Sequence, residues 1–439
     1  MHEDQDNYGL INERVVDQIT IHSLYRPHSL SLLLGVALYS FYNAFVLEDS
    51  PSDQNIFAGL KATIILFLFL SALVSPNGPF IRPHPILWRI VFGISVLYAL
   101  LLQFTLFQNY DDIKSALTWL DPEGLSQKKL EEQSYAEACW DISWTRILDS
   151  LDIFVIAHFV GWVMKALLIR HTIICWYISI LWELTELFFG HLLPNFRECW
   201  WDAIVLDILL CNGLGIYCGI KLCKFLEFHE FHWESIKEIQ TASGKVRRAV
   251  LQFTPESWIR VDWFNNRSLR RCFAIFLFIL VWLLTELNTF FLKHIFAIET
   301  KHPLVTWRLV LVCFISAPTI RQYYLFATDP RITRLGMQSW IYAAVCLLEL
   351  AICVKFGRKS LPPLQTNAII LWIIVVIVGT VVCVWISVKW ATNGSDKTHS
   401  VKICGETRRL YKCSSTDNIS RIESHGKLIK NEENSEYEG

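Results

Sequence analysis

Long apolar runs are the feature that leaves this chain fewest folds to choose from. "LSLLLGVALYSFYNAFVL", "IFAGLKATIILFLFLSALV", "ILWRIVFGISVLYALLLQFTLF" and "AIILWIIVVIVGTVVCVWI" each continue for 18 residues or more. A helix of that length crosses roughly 30 Å of hydrocarbon. The apolar residues are not arranged in amphipathic stripes. Only 18% of the 439 residues are charged, 53% are hydrophobic, and the mean hydropathy is +0.34. A soluble domain carries about a quarter charged residues. The pattern predicts an all-α, polytopic membrane protein.

About ten transmembrane helices are expected, over 29–47, 56–74, 86–106, 150–169, 173–193, 200–222, 272–295, 305–324, 339–356 and 367–389. Residues 1–28 are polar and mixed in charge, which reads as a cytosolic segment rather than a cleavable signal. Residues 29–389 form the membrane domain, and 390–439 read as a polar, disordered cytosolic tail. Orientation follows from Lys and Arg in the loops. The segment 221–271 holds ten basic residues against six acids, whereas 108–149 holds nine acids against four basic residues. The turn near Lys165, Arg170 and His171 is also basic. Both termini are therefore expected in the cytosol and the acidic loops across the membrane. The loop with Lys355, Arg358 and Lys359 runs against that assignment.

Nine of the 13 cysteines lie within or at the ends of apolar runs, where they behave as small hydrophobes. No CxxC pair exists, so the spacing supports neither a zinc site nor a thioredoxin-like motif. Cys139 and Cys199 fall in loops assigned to the same side, which leaves a disulfide between them open.

The stretch from Trp182 to Asp207, "WELTELFFGHLLPNFRECWWDAIVLD", sets five carboxylates among these apolar residues: Glu183, Glu186, Glu198, Asp202 and Asp207. Buried carboxylates are costly without a positive partner, and intramembrane acids point to function. Glu183 and Glu186 share a helix face. Asp207 and Asn212 each follow the preceding polar residue at an interval of five, a turn of about 140° on an α-helix. The set therefore cannot face one point from straight α-helices, and some members are expected from the loop or from other parts of a larger cavity. Oxygen donors without cysteine suit a hard divalent cation. His158, one span earlier in "LDSLDIFVIAHFVGW", would by default be structural. Beside a metal-like cluster it becomes a candidate general base toward an alcohol.

Two further features are weaker. Gly215 and Gly219 in "NGLGIYCG" have GxxxG spacing, which by default means close helix packing. "LTEL" recurs at 184–187 and 284–287, placing Glu286 and Asn288 deep in the seventh span. This is read as coincidence or as a second polar contact rather than as an inverted repeat.

"WELTELFFGHLLPNFRECWWD", "DILLCNGLGIYCG", "RRAVLQFTPESW" and "LTELNTFFLKHIF" together resemble the animal phosphatidylserine synthases, base-exchange enzymes of the endoplasmic reticulum. The resemblance runs from about Tyr25 to Lys389 and is closer to the type-1 enzymes. It implies a calcium-dependent exchange, with Ca2+ as cofactor, of L-serine for the choline or ethanolamine of an existing phospholipid. Its partners would be phosphatidylcholine, phosphatidylethanolamine, phosphatidylserine and L-serine, with no nucleic acid and with room for a homo-oligomer. By position His158 matches the family's essential histidine, and Glu183, Glu186, Asn195, Glu198, Asp202, Asp207 and Asn212 match its required polar residues. The carboxylates are assigned to the metal, and Asn195 and Asn212 to substrate. Arg89, Arg248, Leu251, Pro255 and Gln338 match positions tied to restraint by product.

Chemically, His158 would either deprotonate the serine hydroxyl or attack phosphorus itself. The active site is expected to face the lumen. Two other readings remain. A secondary transporter or calcium channel would explain the intramembrane acids. A different lipid transferase is disfavoured, because DGxxAR, HxKxxxxD and phosphate-binding glycine loops are all missing.

Overall fold

The computed structural model describes residues 27–46, 52–125 (except 77 and 81), 136, 139–140, 153–227, 239, 241–251, 263, 269–329, 332, 334–363 and 365–400. Among the described residues the regular structure is helical, without strands. The helices are α1 (Pro27–Val46), α2 (Ser52–Val74), α3 (Pro85–Leu106), α4 (Tyr110–Leu120), α5 (Ile153–Ile169) and α6 (Thr172–Phe189). A 3-10 turn at Pro194–Phe196 leads into a π-helix, Asp202–Asn212, which continues as α7 (Gly213–Glu227). Then come α8 (Ala242–Leu251), α9 (Leu269–Ile295), α10 (Pro303–Thr328), α11 (Met337–Ser360) and α12 (Thr366–Ser400). Every expected span has a helix. Eight are long and apolar enough to cross a membrane, and α5 contributes a shorter apolar stretch, Val155–Ile169. The short helices α4 and α8 were not expected from hydropathy.

Histidines start three of these helices. His84 and His302 precede Pro85 and Pro303, and proline at the first helical position loses no hydrogen bond there. The Nδ1 atoms of His84 and His302 accept the N–H groups of Ile86 and Leu304, each at 3.2 Å. His171 Nδ1 does the same for Ile174 at 3.3 Å. A neutral imidazole thus takes the place of the usual Ser or Asp cap.

Cross-links sort the connections onto two ends of the bundle. At one end the Tyr110 hydroxyl donates to the Ile295 carbonyl (3.0 Å), and Lys114 Nζ donates to Phe296 (2.6 Å). His302 Nε2 pairs with Asp121 at 3.0 Å. Cys139, which precedes α5, is joined to Cys199, which follows α6, by a disulfide. At the other end Trp263 Nε1 donates to Ile169 (2.9 Å), and Arg271 Nη2 donates to Thr328 (3.2 Å).

A buried ion pair holds four helices in register. Glu349 on α11 is fully buried and receives Arg308 of α10 through Nε (2.7 Å) and Nη2 (2.6 Å). Tyr98 of α3 donates to the same carboxylate at 2.6 Å, and Asn288 of α9 at 3.4 Å. The remaining guanidinium nitrogen, Nη1, donates to Thr289 at 2.5 Å. Four donors match the lone-pair sites of a carboxylate, so the charge enters the apolar interior satisfied.

Helices α3 and α11 run side by side in the same direction, bridged at Tyr98–Glu349 and again where Lys355 Nζ donates to the Leu106 (2.7 Å) and Gln108 (2.8 Å) carbonyls. That contact accounts for Lys355, one of the three charges that ran against the orientation rule. Lys355 caps the negative end of α3, a stabilising place for a cation on either side of a membrane.

The chain divides into two compact units, Met1–Cys383 and Val384–Gly439. Within the second, Lys389 Nζ lies 3.9 Å over the Trp385 ring. The expected N-terminal segment lies outside the described residues except for 27 and 28. Of the tail expected as disordered from 390, residues 390–400 continue α12 as helix and 401–439 lie outside the described residues.

Candidate active site

Helix α6 and the π-helix form a hairpin with the acids on its inner side. Glu183 and Glu186 sit one turn apart on α6. The opposite face of α6 is covered by α12, where Trp372 Nε1 donates to Thr185 Oγ1 at 2.9 Å. The connecting loop is held by aromatic packing: Phe196 is buried against Phe290 (centroids 5.0 Å) and Trp182 (6.1 Å), which fixes its half-buried neighbour Asn195. Arg197 Nε donates to the Gly190 carbonyl at 2.9 Å and closes the turn. Cys199, Trp201 and Leu206 form a small core against which Cys139 packs, so the disulfide anchors the start of the π-helix.

The intervals of five find their explanation here. In a π-helix the hydrogen bonds join residues five apart, so such residues stack on one face. Asp202, Asp207 and Asn212 fall at that period and line one side of the element. The opposite face repeats with the same spacing: Ile204 and Val205, then Leu209 and Leu210, are exposed. The constraint drawn from α-helical geometry is lifted by the element itself. Asn212, at the last π position, is buried and donates to the buried Ser179 Oγ of α6 at 3.0 Å, which ties the end of the π-helix to α6.

Helix α5 brings His158 to this face. It packs on α7 across Gly215 and Gly219. A Cβ at Gly215 would lie 2.8 Å from the Phe159 carbonyl oxygen, and one at Gly219 would lie 2.6 Å from the Ala166 Cβ. Close packing, the default reading of that spacing, is what the glycines serve. His158 Nδ1 stands 3.3 Å from Asp207 Oδ1, with the imidazole about half exposed at 54% and the carboxylate at 14%. An aspartate so placed can orient the ring, as in hydrolytic triads.

The carboxylates act on one another. Glu183 feels the charges of Asp207, Glu198 and Asp202, and Glu186 feels those of Glu183, Glu198 and Asp207. Glu198, in the loop, is pushed up to about 8 by desolvation first, then by the charges of Asp207 and Asp202 and a hydrogen bond with Asp207. The shift favours a proton shared between Glu198 and Asp207, which in turn faces His158.

The donor set is all oxygen and strongly negative, which fits calcium in kind. Among the described residues, however, no three His, Cys, Asp or Glu side chains close to metal-holding distance. The side chains offer part of a shell, and the rest of calcium's six to eight oxygens would come from lipid phosphate and water.

The positions expected from the sequence to bear product restraint lie elsewhere. Arg89 is buried on α3, where Nη1 donates to the Ala72 carbonyl at 3.2 Å. Gln338 is buried at the start of the parallel helix α11, at the same end as Arg89 and the opposite end from the acidic hairpin. Arg248 and Leu251 lie on α8, and Pro255 lies outside the described residues. Two groups near the site had no place in the sequence reading of it. Lys165 is a residue of α5, not of the basic turn, and its Nζ meets Glu286 Oε1 at 2.8 Å. Glu286 acts on Glu186 through its charge, and its contact with Lys165 is the second polar contact that the repeated "LTEL" left open. The recurrence of LTEL was the signal for it.

These features define a polytopic helical membrane protein whose centre is a histidine and a group of carboxylates at the mouth of a helical hairpin. Residues 83–357 match the family model described as "Phosphatidyl serine synthase". The chain is 47% identical over 403 residues to phosphatidylserine synthase 1 of Danio rerio, covering 91% of this chain and 87% of that one. It is 46% identical over 394 residues to the phosphatidylserine synthase of Drosophila melanogaster, covering 90% and 79%. With phosphatidylserine synthase 2 of Homo sapiens it shares 40% over 358 residues, covering 79% and 73%. The chain belongs to the phosphatidylserine synthase family, whose members are enzymes that make phosphatidylserine.

Proposed function

We propose that this chain makes phosphatidylserine by base exchange, replacing the choline or ethanolamine of a membrane phospholipid with L-serine. The observation that carries the reading is the His158–Asp207 contact at 3.3 Å beside the carboxylate group. The serine hydroxyl oxygen attacks phosphorus, and His158 accepts its proton. The bond from phosphorus to the head-group oxygen breaks, and the imidazolium returns the proton to the departing alkoxide. Atoms and charge balance without a nucleotide. Asp207 stabilises the imidazolium between the two transfers, and in the metal-free centre it shares a hydrogen bond with Glu198. Calcium bound among Glu183, Glu186, Glu198, Asp202 and Asp207, with lipid phosphate and water completing its shell, would draw charge from the phosphate oxygens. Asn195, exposed in part at the hairpin loop, is suited to the serine ligand. Asn212 would act through its bond to Ser179 as well.

The compartment follows on the same reading. A disulfide persists in an oxidising space such as the lumen of the endoplasmic reticulum. Cys139–Cys199 is at the hairpin end of the bundle, which supports a lumenal centre and agrees with the charge rule. Arg89, Gln338, Arg248, Leu251 and Pro255 are assigned to product restraint.

The test is purified protein in phosphatidylcholine liposomes with labelled serine and no nucleotide. Stoichiometric, calcium-dependent release of choline with formation of phosphatidylserine is expected, and it should vanish in His158→Ala. Lipid unchanged while serine or calcium crosses the bilayer would replace the reading with that of a transporter. A labelled phosphatidyl group trapped on the protein before serine is added would show His158 acting as nucleophile instead of base.

A further inference from the structure

Every substrate of the exchange brings an anion, either the lipid phosphodiester or the serine carboxylate, into a centre built mainly of carboxylates. Lys165 is the cation placed to receive it. His158, Trp162 and Lys165 follow at intervals of four and three along α5, so they share a face. Lys165 Nζ lies 4.2 Å over the Trp162 ring and 2.8 Å from Glu286 Oε1. The same glutamate oxygen accepts the Trp282 indole N–H. Among the charges acting on Glu183, that of Lys165 opposes the others.

A second intramembrane ion pair shows what a purely structural one looks like here. In Arg308–Glu349 the side chains are 12% and 1% exposed, and tyrosine, asparagine and threonine partners complete the shell. Lys165 and Glu286 are 22% and 21% exposed. An ammonium has three donors, and Lys165 gives one to Glu286 and has no further hydrogen-bond acceptor among the described residues. The pair is accessible, pre-held and incompletely satisfied.

We propose that Lys165 is the anion-binding group of this centre, steadied by Glu286 and Trp282 until a substrate anion takes up its free donors. The proposal rests on the base-exchange reading for the identity of its ligands. The shared chemistry is a singly charged oxyanion, and two arms separate the sources. Equilibrium binding of labelled L-serine, and separately of short-chain phosphatidylcholine, is measured on the full chain in detergent without turnover. KM for each substrate follows in liposomes. Lys165→Met should weaken one of the two ligands by about tenfold to a hundredfold, the worth of a charge-assisted hydrogen bond, and Lys165→Arg should recover part of it. A loss confined to serine identifies the carboxylate, and one confined to the lipid identifies the phosphate.

Unchanged binding of both ligands in Lys165→Met overturns the proposal. So does full recovery in Lys165→Met/Glu286→Gln, because that double variant repairs a structural pair but not an anchor. If Lys165→Met does not fold, Lys165→Gln paired with Glu286→Gln reads the same affinities. Wild-type protein that binds both ligands but releases no choline refutes exchange alone and leaves the binding result standing.

Discussion

Glu349→Gln should be among the most damaging single changes away from the active site. The substitution keeps the volume and removes the charge, leaving Arg308 inside the bundle with an amide in place of its bidentate carboxylate at 2.7 and 2.6 Å. Breaking a buried pair by removing one partner costs about 3–5 kcal/mol. Four helices meet at Glu349 through Tyr98, Asn288 and Arg308, so the loss would fall on the whole bundle rather than on one end. The midpoint of thermal unfolding in detergent should drop by roughly 10 °C. Arg308→Met/Glu349→Leu removes both charges and should recover most of that loss, since apolar replacement of a buried pair is about neutral. Intrinsic fluorescence or a thiol-reactive dye, which reports exposure of the buried Cys346 and Cys353, would follow the transition. A wild-type midpoint for Glu349→Gln, or a double variant no better than the single one, would refute the reasoning.

Four further outcomes are expected. Gly219→Leu should push α5 off α7, because even a Cβ would lie 2.6 Å from that of Ala166; His158 would leave Asp207, and phosphatidylserine formation should fall by a factor of 100 or so, the lower range for a lost general base. Cys199→Ser opens a link between residues 60 apart in sequence and should lower stability by about 2–4 kcal/mol, seen as a lower unfolding midpoint that reducing agent does not lower further. Glu198 is raised from its ordinary value to about 8, so its contribution to stability is full below the unfolded carboxyl value and is lost as pH rises through 8. With a chelator present, the midpoint should fall between pH 6 and pH 9 in the wild type and fall less in Glu198→Gln. Ser179→Ala removes the partner of a buried amide and should cost about 1–3 kcal/mol, read as a lower unfolding midpoint; Ser179→Thr, which keeps the hydroxyl, should recover part of that stability.

The membrane helices were legible because lipid imposes a single crude demand, length of apolar run, and α9 or α12 meets it without reference to any neighbour. The acids of the hairpin were legible for the converse reason, being costly where they stand. What hydropathy could not reveal was the geometry joining them. An α-helical period was applied to Asp202, Asp207 and Asn212, and it scattered them. The true period was nonetheless written twice, in those three polar residues and in Ile204–Val205 against Leu209–Leu210. Lys165 was misplaced for a different reason. Lying four residues before the end of α5, it counts in sequence as a loop charge, and only its tertiary partner Glu286, more than a hundred residues away, makes it part of the interior. Lys355 likewise looked like an orientation signal until the carbonyls of α3 were seen to hold it.

The His158 side chain is about half exposed, and α5 also exposes Ile156 (63%) and Val160 (51%), residues fit for acyl chains. On the exchange reading, a donor lipid can reach the imidazole sideways without leaving its leaflet. Encounter then takes place in a plane, and the quantity that saturates the enzyme is the mole fraction of donor among its neighbours. Diluting phosphatidylcholine with an inert lipid at constant total lipid should slow the reaction, whereas adding more vesicles of unchanged composition should not speed it. The local recipe of the membrane would set the pace of its own remodelling.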